Sequence, residues 1–477
     1  AGAVAVEDNG TELKLKGADF CATFSKKDAT LTQYMLKGEA LLQQPLKVDA
    51  FRCPSSNEVP MGNVWSQQGL RNLVPVKGEI TNVTTQPDGT VTFVTSTTVM
   101  GAALEQLVDF DNGMTYKTFF RALNAQVSEK NTHFVVNAAW RVYADGTITM
   151  QSAILPRGRV IELPRLGYSL TFKDNLDTVS YLGRGPFENY PDRKSGAFPA
   201  CYTDSVKNMV IDYARPNDMG NRENTVALSL YPNGKTAMGL TVTALNDDDF
   251  AFSALPYTAT ELCEARHPAE LPDSDKTVLT LLCTNRGLGG ASCGPGPLDR
   301  DIPRSNKPYR LNLAFRPTSA GELLPIREKV VELDETMPPP PETFIAVECT
   351  SQEPGNEGGK ACDGDPMTIW HTQYGVTLGK YPHSVTLDIN KVRTLKGITC
   401  LGRQDGVNGR IKDFKVEVSA DRKTWTEVAT GSLKNTGDVQ NILFATPAAN
   451  VRYVRFTGLN EQHGNEFASM AEIGIIE

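Results

Sequence analysis

The sequence lacks several features that mark whole classes of protein. Its 477 residues carry a net charge of -8 and no basic cluster, so nucleic acid is not an expected partner. No apolar run is long enough to span a bilayer, and the first residues lack the basic and long apolar regions of a signal peptide. The nine cysteines include no CxxC motif, which favours buried thiols over a zinc site or a dense disulfide framework.

Long amphipathic helices are also missing, and short alternating segments take their place. Residues 90–99, 138–143 and 147–152 alternate apolar and polar side chains, and turn residues at 87–89 and 144–146 bound them. The regular alternation of strand and helix that a (β/α)8 barrel requires is absent. The sequence therefore predicts an all-β protein.

The length and one proline run predict the domain organisation. At about 150 residues per domain, the chain is long enough for two to four domains. Four consecutive prolines at 338–341 favour an extended polyproline spacer. We therefore place a linker at 319–342, between a large domain at 1–318 and a C-terminal domain at 343–477. The second domain again shows short strand patterns typical of a β-sandwich, at 384–389, 413–419 and 452–457.

A loop motif, GRGPFENYPDR at 183–193, crowds two glycines, two prolines, two arginines and two carboxylates together. These residues predict a shaped loop in which Arg184 and Arg193 each pair with a carboxylate. The motif resembles a signature of the last domain of large bacterial β-galactosidases of glycoside hydrolase family 2. Further segments resemble that domain in the same order, at 18–25, 38–42, 51–57, 213–222 and 287–295. The resemblance implies a large β super-sandwich similar to galactose mutarotases.

The C-terminal domain resembles a second family. Segments 361–371, 419–425 and 467–473 resemble the F5/8 type C, or discoidin, family, and within it the galactose-binding carbohydrate modules of family 32. This resemblance implies a galactose-binding-like jelly-roll β-sandwich. We expect Trp425 to belong to its core.

Candidate sugar-binding residues lie in this C-terminal domain. A sugar site needs an aromatic face for the apolar side of the ring and several donors and acceptors for the hydroxyls. His371, Arg403, Asn408 and Phe467 form such a set, and Arg403 and Asn408 share the glycine-bearing loop 403–410. Taken singly, His371 and Phe467 fit a core position equally well. The resemblance to galactose-binding relatives favours galactose-containing glycans as their partner.

An acidic turn in the same domain is a candidate metal site. Asp363 and Asp365 flank a glycine, but the run does not match an EF-hand, so the residues alone favour a solvated turn. The resemblance instead implies a structural calcium ion. Its ligands would be the side chains of Asp363, Thr368 and Glu472 and backbone carbonyls at Lys360, Asp365 and Ala471.

No catalytic residues are predicted. Glycoside hydrolysis needs two carboxyls about 5 to 10 Å apart, and Glu188 and Asp192 share one loop. Pairing with arginines or backbone amides is the favoured role for both acids. The resemblance places the catalytic acids on a separate (β/α)8 barrel, and in some relatives a tryptophan from the loop matching 287–296 reaches that site. Ser292 and Cys293 occupy this loop here.

The favoured interpretation is the non-catalytic C-terminal part of a periplasmic or secreted β-galactosidase, inactive alone. Its partners would be galactose-containing glycans and the missing N-terminal catalytic region, with no nucleic acid and no membrane span. One alternative is a free-standing galactose-binding lectin or adhesin. Another is a mutarotase-like enzyme, which would need a histidine and a glutamate in one cleft, and His133 and His267 are the only histidines of the large domain.

Overall fold

The computed structural model describes residues 2–111, 115–122, 127–173, 176–232, 239–291, 293–318, 323 and 325–477. The chain forms two compact units, Ala1–Met337 and Pro338–Glu477. The division falls at the four prolines, within the expected linker 319–342, of which 319–322 and 324 lie outside the described residues. We call the two units the large unit and the tail.

The large unit begins with a five-stranded antiparallel sheet whose neighbours follow chain order. Its strands are β1 Ala5–Asp8, β2 Glu12–Lys16, β3 Phe20–Ser25, β4 Thr30–Leu36 and β5 Glu39–Ala40.

A nine-stranded antiparallel sheet follows. Its strands are β7 Leu73–Thr85, β8 Val91–Gly101, β11 His133–Val142, β12 Ile148–Arg157, β14 Thr178–Gly185, β15 Phe198–Ser205, β17 Ala227–Tyr231, β18 Gly239–Ala244 and β21 Tyr309–Thr318. They are ordered β15-β14-β17-β18-β21-β12-β11-β8-β7. Strands β9 Leu104–Asp111 and β10 Thr115–Ala122 pair with each other.

A second five-stranded sheet, the inner sheet, completes the large unit. Its strands are β6 Leu42–Asp49, β13 Arg165–Lys173, β16 Arg222–Thr225, β19 Phe250–Leu255 and β20 Lys276–Asn285, ordered β16-β19-β20-β13-β6. Side chains on one face, including Leu170 and Leu281, share a hydrophobic core with Phe134 and Trp140 of the nine-stranded sheet. Two sheets packed over one core form a sandwich.

Helices in the described part of the chain are short. The α-helices are α1 Val59–Gln67 and α2 Ala259–Glu264, and 3-10 turns lie at Leu70–Asn72, Val206–Met209, Pro268–Glu270, Asp299–Asp301 and Gly358–Ala361. Thr258 and Glu261 form a reciprocal capping box that stabilises the start of α2. The strand and helix alternation of a barrel is absent from the described residues, and the all-β prediction is confirmed. None of the helices described here could cross a membrane.

The tail is an antiparallel β-sandwich with its own core. Its strands are β22 Ile345–Cys349, β23 Trp370–His371, β24 His383–Leu401, β25 Asp413–Ser419, β26 Thr426–Ser432, β27 Val439–Gly458, β28 Ser469–Met470 and β29 Glu472–Ile476. The main sheet runs β22-β24-β27-β25-β26 with β29 beside β24, and β23 pairs with β28. The prediction for Trp425 is wrong, because this side chain lies outside the core. Its ring is half-buried, and the Arg455 guanidinium covers it at 3.8 Å.

Candidate functional site

A two-stranded ribbon positions the predicted sugar-binding residues of the tail. His371 of β23 lies directly opposite Ser469 of β28. The Ser469 amide donates to the Gly409 carbonyl at 2.7 Å, and its hydroxyl donates to the Asn408 carbonyl at 2.9 Å. Gly409 has a φ of +79°, and a Cβ added there would lie 2.8 Å from the Ser469 hydroxyl. Only glycine fits this close approach, which brings His371 and Asn408 to the same serine.

The protonation of His371 is fixed by its surroundings. Its Nδ1 lies 2.6 Å from the Thr372 carbonyl, which can only accept, so Nδ1 carries the hydrogen. Burial, helped by the Arg403 guanidinium, lowers the pKa of His371 and favours the neutral ring. Within the described residues Nε2 has no hydrogen-bond partner. A neutral ring of this tautomer presents Nε2 as an acceptor for a ligand hydroxyl.

Two aromatic rings flank this imidazole. The Phe467 ring centroid lies 5.4 Å from that of His371, and the Tyr374 ring meets His371 edge-on at 4.8 Å. Tyr374 is 55% exposed, and its amide donates to the Glu353 carboxylate at 2.8 Å. Tyr374 was not predicted from the sequence, although an aromatic residue three positions after His371 and next to a glycine was a usable signal. Phe467 and Tyr374 offer the apolar faces on which a sugar ring can pack.

Arg403 is held rigidly by its own loop. Its Nε and Nη2 each donate to the Asp405 carboxylate at 2.8 Å, and Nη1 donates to the Asn408 carbonyl at 3.2 Å. Burial raises the pKa of Asp405, but its bonds to Arg403 outweigh this and hold it below the usual range. Three of the five guanidinium N–H groups are thereby used, and two remain for a ligand. This role of Asp405 was not predicted from the sequence.

The structure thus brings together the four predicted sugar-binding residues. His371 and Asn408 contact Ser469, Phe467 lies against His371, and Arg403 binds the Asn408 backbone. Asn408 is exposed, and its side-chain amide has no hydrogen-bond partner among the described residues. Fixed donors, one fixed acceptor and aromatic faces suit a ligand with adjacent hydroxyls.

The predicted metal ligands also converge. The Thr368 hydroxyl lies 2.8 Å from Asp363 Oδ2, 3.2 Å from the Asp365 carbonyl and 3.4 Å from the Lys360 carbonyl. One hydroxyl hydrogen cannot satisfy three acceptors, so oxygen atoms of a kind that calcium accepts lie close together here. The structure gives no contact for the Ala471 carbonyl, although Ala471 is fully buried next to Glu472.

Glu472 completes this oxygen cluster. Its Oε1 is buried without a hydrogen-bond partner in the described part of the chain. Burial, followed by the neighbouring Asp363 carboxylate, raises the pKa of Glu472 to about 9. In the described residues no three His, Cys, Asp or Glu side chains form a metal site by themselves. The donor set fits calcium, which accepts carbonyl and hydroxyl oxygens beside carboxylates.

The acids of the 183–193 loop have structural partners. Glu188 accepts from Arg193, from the Tyr213 hydroxyl and from the Gly220 amide, the last at 2.9 Å. Asp192 accepts from the amides of Leu288 and Gly289 at 3.0 and 2.7 Å. The predicted pairing of both acids with an arginine or with backbone amides is confirmed.

The prediction for Arg184 is wrong, because it donates to Asn224 and the Ala197 carbonyl rather than to a carboxylate. In the loop 287–296, Cys293 is exposed. Ser292 lies outside the described residues.

Comparisons with known proteins agree with these two units. Residues 16–315 match the family model for the beta galactosidase small chain, and residues 346–473 match the F5/8 type C domain. A beta-galactosidase from Priestia megaterium is 27% identical over 298 residues, covering 60% of this chain and 25% of that protein. A galactose oxidase from Gibberella zeae is 38% identical over 135 residues, covering 28% of this chain and 20% of that protein.

Among solved structures, the family 32 CBM from C. perfringens NanJ in complex with galactose is 26% identical and covers 28% of this chain and 92% of that chain, with a TM-score of 0.25. The chain spans about a quarter of the length of the beta-galactosidases it matches. The small-chain model covers residues 16–315 of 477, including the 183–193 loop and the segment it holds at Leu288 and Gly289. This chain belongs to the beta galactosidase small chain family, and its tail is an F5/8 type C domain.

Proposed function

We propose that the tail binds the galactose residues of glycans through His371, Arg403, Asn408 and Phe467, with Tyr374 as a further contact. The observation that carries this proposal is the arrangement around Ser469. Neighbouring strands and one loop hold the Nε2 acceptor of His371, the free N–H groups of Arg403 and the Phe467 ring at one site. The choice of sugar is supported by the F5/8 type C match of the tail and by its 26% sequence identity to a family 32 CBM solved in complex with galactose.

Calorimetry with galactose tests the proposal. A shallow, exposed site predicts a millimolar dissociation constant, equivalent to about -4 kcal/mol. Replacing Arg403 by Ala removes charge-assisted hydrogen bonds worth roughly 1.5–3 kcal/mol, so we expect affinity to fall at least tenfold. Arg422→Ala is the matched control, because Arg422 is an exposed arginine of the same unit whose ion pair with Glu348 is 4.0 Å long. Equal heats from the parent and Arg403→Ala would remove Arg403 from the site.

We also propose that Asp363, Thr368 and Glu472, with carbonyls of Lys360, Asp365 and Ala471, hold a structural calcium ion. Such an ion would neutralise the neighbouring carboxylates of Asp363, which is exposed, and Glu472, which is half-buried, and fix β29 to the turn at 363–365. Because a ligand of the native state stabilises it by about 2.7 kcal/mol at one hundred times its dissociation constant, calcium should raise the melting temperature of the tail by several degrees relative to chelator. No shift would leave these residues as surface acids. Magnesium at equal concentration is the control, since it needs a stricter octahedral geometry.

For the whole protein, we propose that the chain is the C-terminal part of a longer β-galactosidase whose catalytic acids lie outside it. The support is the family match, together with the observation that Glu188 and Asp192 are both bonded to backbone amides. The purified chain should therefore not hydrolyse a chromogenic β-galactoside. Turnover that is lost on changing Glu188 to Gln would overturn this proposal.

We place the protein in the periplasm or outside the cell, where a glycan-binding tail would meet its ligands. Cell fractionation tests this location, and recovery in the cytoplasmic fraction alone would contradict it. A free-standing lectin would use the same tail site, so the encoded sequence upstream of Ala1 separates the two readings. The mutarotase alternative is disfavoured, because neither His133 nor His267 lines the cavity of about 420 Å³ that strands β6, β13, β19 and β20 and helix α2 bound in the large unit.

A further inference from the structure

The inner sheet carries a line of polar side chains on the face opposite to the core. Lys47 of β6 lies opposite Ser169 of β13, Ser169 opposite Thr280 of β20, and Thr280 opposite Ser253 of β19. Directly opposed residues of antiparallel strands point to the same face. We call these four residues the polar row.

The polar row forms one wall of a cleft. All four residues line a cavity of about 420 Å³, and so does the next cross-strand row, which consists of Gln44, Thr171, Val278 and Leu255. The segment after β19 and helix α2 also line it. This volume lies within the roughly 300–1,000 Å³ range of small-molecule sites.

The hydroxyls of this wall lack protein partners. Ser253 is 6% exposed and Thr280 is 3% exposed, and neither hydroxyl has a hydrogen bond within the described residues. Neither oxygen is among the fully buried unpaired polar atoms of the described residues, so both hydroxyls are open to the cavity. Unpaired hydroxyls that line a cavity are available to bind water or the hydroxyls of a ligand.

Apart from Lys47, the charged groups that line the cleft have ion-pair partners. Arg165 donates to both oxygens of Asp49, at 2.7 and 3.0 Å, and to Asp218 at 3.3 Å. Lys276 donates to Glu261 at 2.8 Å. Paired charges offer donors and acceptors in fixed directions, and a single further cation, Lys47, leaves only a weak net field, which favours a neutral polar ligand over a multiply charged anion.

We propose that this cleft is a second saccharide-binding site, located in the large unit and sized for a mono- or disaccharide. The polar row binds ring hydroxyls, and Tyr257, which lines the cleft and is half-buried, packs on the apolar face of the ring. The site is independent of the galactose site proposed for the tail, and either one can fail without the other.

Hydrogen exchange of the full chain with lactose tests the second site. The measurement uses an Arg403→Ala background, so that the tail does not compete for the sugar. We expect lactose to slow amide exchange in residues 257–276, and we expect the double change Ser253→Ala with Thr280→Val to weaken this protection at least tenfold. Thr243→Val is the matched control: its hydroxyl has no partner among the described residues, but it belongs to β18 of the nine-stranded sheet and does not line the cleft. Its protection should equal that of the parent.

Two results would overturn the proposal. One is the absence of protection in residues 257–276 of the Arg403→Ala chain, at a lactose concentration that saturates the loop 403–410 in the chain that keeps Arg403. If that loop shows no binding, absence of protection in 257–276 at the highest lactose concentration used counts in the same way. The other is unchanged protection in the double variant. If the double variant does not fold, Ser169→Ala replaces it, because Ser169 is half-buried and its loss leaves a smaller gap. Unchanged protection in that variant also contradicts the proposal.

Discussion

Glu223 should make the stability of the large unit depend on pH near neutrality. Its carboxyl is buried beneath the 183–193 loop, where its Oε1 accepts from Asn221 at 2.8 Å and its amide donates to Asn189 at 2.9 Å. Burial is the main cause that raises the pKa of Glu223 from 4.5 to about 7, and the Asn221 bond opposes it. The folded state therefore binds more protons than the unfolded chain between these two values, so stability falls as pH rises through them.

The magnitude follows from the same values. A shift from 4.5 to about 7 corresponds to about 3 kcal/mol in total, of which roughly 2.5 kcal/mol is lost between pH 5 and pH 8. At about 2 cal/mol/K of unfolding entropy per residue, a unit of this size should lose roughly 3–4 °C of melting temperature for that reason. Glu223→Gln removes the titration while keeping an oxygen for Asn221. The melting temperature of the variant relative to the parent should therefore rise by roughly 3–4 °C from pH 5 to pH 8.

Scanning calorimetry of the full chain at both pH values measures this difference. Glu39→Gln, an exposed glutamate of the same unit, is the control and should follow the parent. If Glu223→Gln and the parent differ equally at pH 5 and pH 8, the carboxyl does not titrate between them and the burial argument fails.

Two further changes test the loops at the candidate sites. Gly409→Ala should destabilise the tail by roughly 1–3 kcal/mol and weaken galactose binding, because its Cβ would meet Ser469 at a φ of +79°. Gly464→Ala is the control for backbone strain alone, since Gly464 has a φ of +80° and nothing within 4 Å. Equal losses of stability in the two variants would show that the contact with Ser469 costs nothing. Asp192→Asn should speed amide exchange at Leu288 and Gly289, whereas Asp299→Asn, whose carboxylate is 95% exposed, should not; unchanged exchange in Asp192→Asn would show that the carboxylate does not hold this loop.

Much of the fold was predictable because strand periodicity and turn residues are local signals. The alternation in β8, β11 and β12 appears directly in the sequence, and the proline run marks the division between the units. Trp425 was predicted wrongly because aromatic character alone does not distinguish a core ring from one covered by a long side chain, here that of Arg455.

The sites were likewise predicted only in part. His371, Arg403, Asn408 and Phe467 were predicted by family resemblance and residue chemistry, and the structure brings them together. The partners that orient them were not predicted, because Asp405 resembles any loop acid until its fork with Arg403 is seen.

The polar row could not be predicted from the sequence. Lys47, Ser169, Thr280 and Ser253 are far apart in the chain and meet only through strand register. Register between distant strands is set by packing of the whole sheet rather than by local pattern.

The central claim is that the tail holds galactose at the site built around Ser469. A crystal structure of the chain with saturating galactose tests it most directly. We predict the sugar ring against Phe467, with its hydroxyls within hydrogen-bonding distance of His371 Nε2 and the Arg403 guanidinium. Galactose bound elsewhere on the tail, with this site open and free of sugar, would contradict the account.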